Sequence, residues 1–324
     1  MPLSIVPLGS RHLEDAAALV AQRYRALRAH VPTLPQRYAE RDTLLPMLQG
    51  ALAAGPSVAA IEQGHLVGFM SGFPIQAFRG EPAAISPEWG NAALLDESPR
   101  IYQALYTRLA DEWLVGGRTV HLVALLANDL RALQEWYWLG FGLAGADAIR
   151  DLSPVAEPDG DIAIRRAVPA DIDEVLRLES ALVKHLTSSP VYVAGMDSQQ
   201  RDEIYALLAD PASALWLASH EGQPVAYLLN GPASGDACTI IFDEGTTSIT
   251  GAYTLPEARG AGMATALLNR ALMWARDTGY VRCAVDFEPM NPQARRFWLR
   301  YFTPVSYAVE RHIDRRYVAR CPAG

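Results

Sequence analysis

Cysteine is scarce. The three thiols in 324 residues, Cys238, Cys283 and Cys321, are odd in number and show no metal-ligand spacing. That excludes a disulfide framework and suits a reducing cytoplasm, where we expect the protein. The seven histidines are equally scattered, with no His-Glu-x-x-His pair and no Cys/His cluster, so no metal site is expected. Excess basic charge is missing too. The formal net charge is −8, and no Lys/Arg run is interleaved with aromatics, which argues against a nucleic-acid partner. No apolar run approaches the roughly 18 residues needed to span a bilayer. The opening Met1–Val20 lacks the basic, apolar and small-residue regions of a secretory leader. No membrane partner is expected.

What remains is a globular composition, with 50% of residues apolar and 20% charged, long enough for two domains with separate cores. The stretch Leu152–Gly160 holds two prolines and a glycine and reads as a linker. It separates an expected domain over 1–153 from one over 161–324. The acidic balance is compatible with a cationic small substrate, although solubility explains it equally well.

The two halves follow one plan. Each opens with a short strand, Ser4–Leu8 or Asp161–Arg165, then an amphipathic helix, Leu13–Arg28 or Asp171–His185, the second capped by Asp171. Two β-type runs around a tight polar turn come next, Ser57–Met70 and Ala214–Leu229, with Glu62-Gln-Gly-His65 and Glu221-Gly-Gln-Pro224 as hairpin turns. A long helix ends at glycine in each half (Ile101–Gly116; Ala264–Thr278, before Gly279), and a strand follows (Val120–Leu126; Val281–Phe287). An asparagine-led helix rich in aromatics and a closing strand complete each half, from Asn128 and Asn291. The order β-α-β-β-β-α-β-α-β gives a mixed α/β fold: two tandem domains, each a mostly antiparallel sheet flanked by helices. The segments Val31–Met47 and Ser188–Gln200 read as loops that line a pocket. In Trp136-Tyr-Trp138 the aromatics read as packing between a helix and its own sheet, and Cys283 as a small buried apolar residue.

The chemistry concentrates in Ser248–Leu268. A β-type run ends at Pro256, a loop of Arg and small residues follows, and an alanine- and leucine-rich helix starts at once. The first amides of a helix have no intrahelical partner and carry the positive end of its dipole, so they bind anions. Gly260 and Gly262 let the backbone turn sharply and let a pyrophosphate approach it; Arg259 adds charge, and Ala264 stays small. Gly260-x-Gly262 with Asp286 also fits a Rossmann-type nucleotide site, but the loop stands off from the strand and too little chain follows for a doubly wound sheet.

The same segment resembles the first motif of the GNAT superfamily of acyl-CoA N-acyltransferases, Arg/Gln-x-x-Gly-x-Gly/Ala, through Arg259-Gly260-Ala261-Gly262-Met263-Ala264, preceded by Pro256-Glu257. The second motif, an asparagine-led helix with Ala and a Phe-aromatic pair, is matched by Asn291, Ala294, Phe297 and Trp298. The resemblance implies an N-acetyltransferase that binds acetyl-CoA as co-substrate. Backbone groups of Thr254 and Leu255 would pair with the pantetheine arm. Amides from Arg259 through Gly260, Ala261, Gly262, Met263 and Ala264 to Thr265 would hold the pyrophosphate, with Asn291 and Phe297 along the cofactor. The acceptor would be an amine of a small molecule or peptide, attacking the thioester directly, and the enzyme a monomer or homodimer. The family's usual acid, a tyrosine after the phenylalanine, is replaced here by Trp298. That leaves Tyr301 as acid and Asp286 and Glu288 as candidate bases. It also leaves open an acyl-CoA-binding sensor or scaffold without turnover.

The first half resembles the family through Asn128, Ala132, Trp136, Tyr137 and Leu139-Gly-Phe141, but departs at the loop. Ser86–Arg100 has no phosphate motif, and Asp96 and Glu97 would repel a pyrophosphate. It reads as a degenerate copy.

Overall fold

The computed structural model describes residues 2–156, 158, 161–194, 201–235 and 238–318. Glu157, Asp159, Gly160 and Cys321, and residues 195–200 of the expected second loop, lie outside them. In chain order the elements begin β1 (Ser4–Pro7), α1 (Leu13–His30), α2 (Arg41–Ala54), β2 (Ser57–Glu62), β3 (His65–Ser71), β4 (Phe73–Phe78) and β5 (Glu81–Ser86). Next come β6 (Asn91–Ala93), α3 (Ser98–Val115), β7 (Val120–Leu126), α4 (Leu130–Trp138) and β8 (Gly142–Asp151). The second half holds β9 (Ala163–Arg166), α5 (Ile172–Leu186), α6 (Arg201–Ala209), β10 (Ala214–His220), β11 (Gln223–Pro232) and β12 (Thr246–Thr254). It continues with α7 (Met263–Asp277), β13 (Arg282–Phe287), α8 (Pro292–Tyr301), β14 (Thr303–His312) and α9 (Arg315–Val318).

The chain forms two compact units: unit 1 is Met1–Ala146 with Cys238–Ile240 and Pro304–Gly324, and unit 2 is Asp147–Ala237 with Ile241–Thr303. Unit 1 carries the antiparallel sheet β1-β2-β3-β6, together with the neighbouring strands β4-β5-β7-β14. In the latter, β5 runs parallel to β7 and β14 antiparallel to it, Ser306 facing Leu126 through His312 facing Val120. The closing strand of the second half is thus part of the first unit, and β8 divides between the units after Ala146.

Local chemistry explains the hairpins. The connections Gln63-Gly64, Arg79-Gly80 and Glu221-Gly222 are two residues long, with both φ angles positive, from 49° to 85°. This is the type I′ turn, whose twist matches that of paired strands and whose second position favours glycine. The core of unit 1 is built on α3, where Ile101, Leu105, Leu109 and Trp113 fall at successive i+4 positions and meet Trp136 and Phe141. In unit 2, Val175 and Leu178 of α5 pack on Leu217, Tyr227 and Leu229 of β10 and β11.

Several expectations are corrected. The segment read as a loop from Val31 contains α2, hidden by Pro46 inside the helix. Asp171 does not cap α5 through its side chain. Its carboxylate instead accepts from the Val168 amide at 2.8 Å and from both Nη atoms of Arg165 at 2.7 Å. The cap of α4 is Asp129, which accepts from the Ala132 amide at 3.0 Å, and not Asn128. Of the three aromatics on α4, Trp136 is fully buried but Trp138 is 79% exposed, so only the first packs on the sheet. Cys283 is buried as expected, and burial pushes its thiol up to about 12.

Candidate functional site

Every residue that the sequence singles out for chemistry in the second half lies in unit 2. Its sheet runs β13-β12-β11-β10-β9 and is antiparallel except for the β12–β13 pair. That arrangement overturns the Rossmann-type alternative, which needs a parallel sheet.

The parallel pairing of β12 with β13 starts at Thr246 facing Arg282 and stops at Ile249 facing Val285. On the other side, Leu229 faces Gly251 while Asn230 faces Ile249, which leaves Thr250 as a bulged residue. A bulge bends its strand and adds twist. Beyond Ile249, β12 has no pair with β13, which leaves Gly251–Tyr253 without a strand partner on that side.

The strand leads into a short turn in which the Ala258 and Arg259 amides bond back to Leu255 and Pro256 at 3.0 and 3.3 Å. Gly260 (φ 82°) and Gly262 (φ 81°) are both left-handed. Gly262 is the N-cap of α7, and the Ala266 amide returns to its carbonyl at 3.0 Å. Between these fixed points, the amides of Gly260, Ala261, Gly262, Met263, Ala264 and Thr265 have no hydrogen-bond partner among the described residues. Free amides at a helix start, in a turn with alternate left-handed residues, form a concave anion nest. No acidic residue stands in the first turn of α7. These groups fit a diphosphate.

Two details differ from expectation. Arg259 does not stand free beside the loop: its Nε donates to the Thr254 carbonyl at 3.0 Å, and its guanidinium lies 5.5 Å from the Tyr253 ring centre. A ligand pairing with the Thr254 carbonyl must displace that contact. A Cβ on Gly262 would stand 2.3 Å from Pro158 Cβ, whereas one on Gly260 would meet nothing within 4 Å. The close approach at Gly262 is made by the protein, and the open side of the loop is at Gly260.

The second motif is placed by capping. Asn291 is buried and accepts from the Ala294 amide at 3.3 Å, fixing the start of α8, and His185 Nε2 lies 3.5 Å from the same Oδ1. Phe297 is half-buried and meets Trp298 and Tyr301 edge-on at 4.8 and 5.1 Å. Trp298 is buried. The Tyr301 hydroxyl lies 3.1 Å from that of Thr265, so α8 delivers it to the first turn of α7. Leu255 is half-buried at the end of β12, its amide bonded to Val225 at 2.9 Å. Asp286 is exposed on β13 yet has a raised pKa, from desolvation by the surrounding protein and then from the charge of Glu288. The Glu288 carbonyl accepts from the Asn291 amide at 3.0 Å.

Sequence reading missed one constellation. Glu179 is 7% exposed on α5 and Tyr227 1% exposed on β11. Burial raises the Glu179 carboxyl above the ordinary glutamate range, and the neighbouring Tyr227 hydroxyl offsets this only in part. The signal was available, because Glu179 occupies an i+4 position from Val175 on the apolar face of its helix.

In unit 1 the segment before α3 is built differently. The strand that should pass the bulge is broken into β5 and β6, with Pro87–Gly90 between them. Glu88 is buried there and accepts from the Ile240 amide at 3.0 Å, while the Trp89 indole donates to Thr239 Oγ1 at 3.1 Å. Arg23 and Asp129 form a buried ion pair at 2.9 Å. Beside them, Val20, Asn91, Tyr102 and Leu125 enclose a cavity of about 10 Å³. That holds about one water, not an acyl-pantetheine arm. Before α3, Leu94–Glu97 offers no glycine and two acids.

Among the described residues no helix is long and apolar enough to cross a membrane, and no group of three or more metal-ligating side chains comes together. Residues 180–302 match the acetyltransferase (GNAT) family. A GCN5-related N-acetyltransferase from Sphaerobacter thermophilus shares the fold, at a TM-score of 0.57 and 14% identity, over 96% of this chain and 95% of that one. By sequence, the chain is 31% identical over 93 residues to the uncharacterized N-acetyltransferase Rv2669 of Mycobacterium tuberculosis, covering 29% of this chain and 54% of that protein. It is 31% identical over 85 residues to the uncharacterized N-acetyltransferase YjgM of Escherichia coli, covering 26% and 47%. The matches span about half the length of these relatives. The residues that match the acetyltransferase (GNAT) family, 180–302, are those that contain the bulged strand, the amide nest and the asparagine-capped helix.

Proposed function

We propose that unit 2 transfers an acetyl group from acetyl-CoA to the amine of a small molecule or peptide by direct attack on the thioester. The observation that carries this reading is the row of unpartnered amides from Gly260 to Thr265 at the start of α7. The freed backbone of β12 beyond Thr250 supports it, as an edge along which an extended pantetheine arm can pair. The amine nitrogen bonds to the acetyl carbon, the carbon–sulfur bond breaks, the nitrogen loses a proton and the thiolate gains one. Backbone N–H groups of β12 stabilise the oxyanion. Tyr301, half-buried beside Thr265, stands at the phosphate end of this path and steadies the cofactor there, while Asp286 and Glu288 stand at the end of β13. We read unit 1 as a copy that holds no cofactor, given the two acids and the lack of glycine before α3.

The test is calorimetric titration with CoA, followed by free-thiol release from acetyl-CoA across a panel of primary amines. Binding with turnover of at least one amine supports the reading. A second reading, a CoA-binding sensor, is favoured by the buried indole of Trp298 where the family has a phenol. Tight binding without thiol release from any amine would select it. Absence of CoA binding would remove both.

A further inference from the structure

On α5 a carboxyl is buried next to the one stretch of β12 that has lost its parallel neighbour. Gly251 directly follows the bulged Thr250 and lies beyond the last pair with β13. The point a Cβ on Gly251 would occupy is 3.4 Å from the Tyr227 hydroxyl oxygen and 3.6 Å from Glu179 Oε1. Two polar groups therefore converge on a single residue that has no side chain. The Tyr227 hydroxyl is buried and has no partner at standard hydrogen-bond geometry, although it is close enough to Glu179 to influence the carboxyl. A buried hydroxyl whose polar neighbour is a buried carboxyl calls for an explanation.

The direction of the cofactor follows from the fold. A pyrophosphate at Gly260–Thr265 starts the arm beside Thr254, and an arm pairing along β12 runs back toward Gly251, where β12 and β13 close. The reacting end of that arm and the Glu179–Tyr227 pair thus meet on one short stretch of strand.

We propose that Glu179 receives the acceptor's ammonium group and takes its proton before attack, with the Tyr227 hydroxyl positioned beside the same nitrogen. This rests on the acetyltransferase reading of unit 2. The step balances as carboxylate plus ammonium giving carboxylic acid plus free amine, and that amine then attacks the thioester. Burial favours the reaction, since a carboxyl removed from water holds a proton more readily than an exposed one. The titratable groups around it are Tyr227 on β11, whose own hydroxyl is raised by burial and by Glu179, and Tyr253 on β12, which acts on Tyr227. His185, further along α5, packs on Tyr253 at 5.9 Å.

The pH profile of kcat/KM distinguishes this role from a structural one. If Glu179 deprotonates a bound ammonium, the wild type uses the protonated amine, and the profile is flat from the Glu179 pKa up to that of the amine, near 10. Glu179→Gln must wait for free amine. Its profile should lose the plateau and climb tenfold per pH unit toward 10, with kcat/KM at pH 7 reduced by roughly 10² or more. CoA affinity should stay within about threefold, since the cradle is untouched. A Glu179→Gln variant that folds and keeps the plateau overturns the proposal. Loss of CoA binding in the wild type would instead sink the underlying acetyltransferase reading. Should no amine in the panel turn over, the second measurement decides. In CoA-saturated wild type with ¹³C-labelled glutamate carboxyls, n-butylammonium should shift the Glu179 signal saturably, and a signal that does not move overturns the assignment.

Discussion

The hydroxyl of Tyr301 stands 3.1 Å from that of Thr265, joining the end of α8 to the first turn of the helix that carries the phosphate nest. A phenol held there lies beside the proposed pyrophosphate site, away from the thioester end of the arm near Gly251, so its hydroxyl bears on cofactor binding rather than on the leaving thiolate. Tyr301→Phe keeps the edge contact with Phe297 at 5.1 Å and removes only the oxygen. We expect the KM for acetyl-CoA to rise by roughly threefold with kcat nearly unchanged, because a neutral hydrogen bond beside the phosphates is worth about 0.5–1.5 kcal/mol. Steady-state kinetics with any turned-over amine checks this, and a kcat reduced roughly 10²-fold at unchanged KM would make Tyr301 the proton donor after all.

Gly260 is the open side of the nest. It is left-handed and meets nothing within 4 Å. Aspartate and asparagine tolerate that conformation better than other side chains. Gly260→Asp should leave the fold intact and weaken CoA binding by about tenfold or more, as a negative charge enters the field of the helix N-terminus. Gly260→Asn, similar in shape and neutral, should lose less. Calorimetry on the pair isolates the charge. Equal affinities for both variants and the wild type would place the pyrophosphate elsewhere.

Arg23 in unit 1 bears on stability. Its partner Asp129 is buried, caps α4 at the Ala132 amide and accepts from Ser98 Oγ at 3.1 Å. Arg23→Met strands that carboxylate, at a cost of about 3–5 kcal/mol. Denaturant melts should show the loss. CoA affinity measured on the folded fraction should not change, and a weaker value there would mean that unit 1 takes part in binding.

His121 makes unit 1 acid-sensitive. It is fully buried, its ring lies 2.9 Å from the Tyr106 hydroxyl and 3.1 Å from the Arg118 carbonyl, and burial lowers its pKa from 6.5 to about 4. The unfolded chain therefore takes up the proton first. The stability from the neutral ring is fully present above pH 6.5 and is lost as pH falls toward about 4, to a total of about 3 kcal/mol. Urea melts between pH 7.5 and 5 should register the decline, and the ring should show no NMR titration in the native protein over that range. A native midpoint near 6.5 would contradict the assignment.

The site was legible where local chemistry dictates structure. The nest follows from two glycines at the junction of a strand and a helix, and the type I′ hairpins follow from Gln63-Gly64 and Glu221-Gly222 between apolar runs. Helix α2 was not legible, because Pro46 reads as a breaker even though a helix can absorb one missing amide. Capping by Asp129 was obscured by Asn128 beside it, since both side chains suit the position and only the geometry chooses. Glu179 was overlooked because a carboxyl among apolar neighbours resembles an ordinary break in the pattern. The partners of β8 and β14 could not be read at all. Alternation of apolar residues marks a strand and the face it buries, but carries no address for the sheet it will join.

That last feature limits how the molecule can be divided. Residues 304–312 complete β7 in unit 1, while 147–151 enter unit 2, so the boundary in the chain and the boundary in space do not coincide. Scission anywhere in the breaker-rich stretch would strip β7 of its antiparallel companion and leave a raw sheet edge prone to self-association. A fragment ending in that stretch would lack a strand of unit 1, whatever its own sequence encodes.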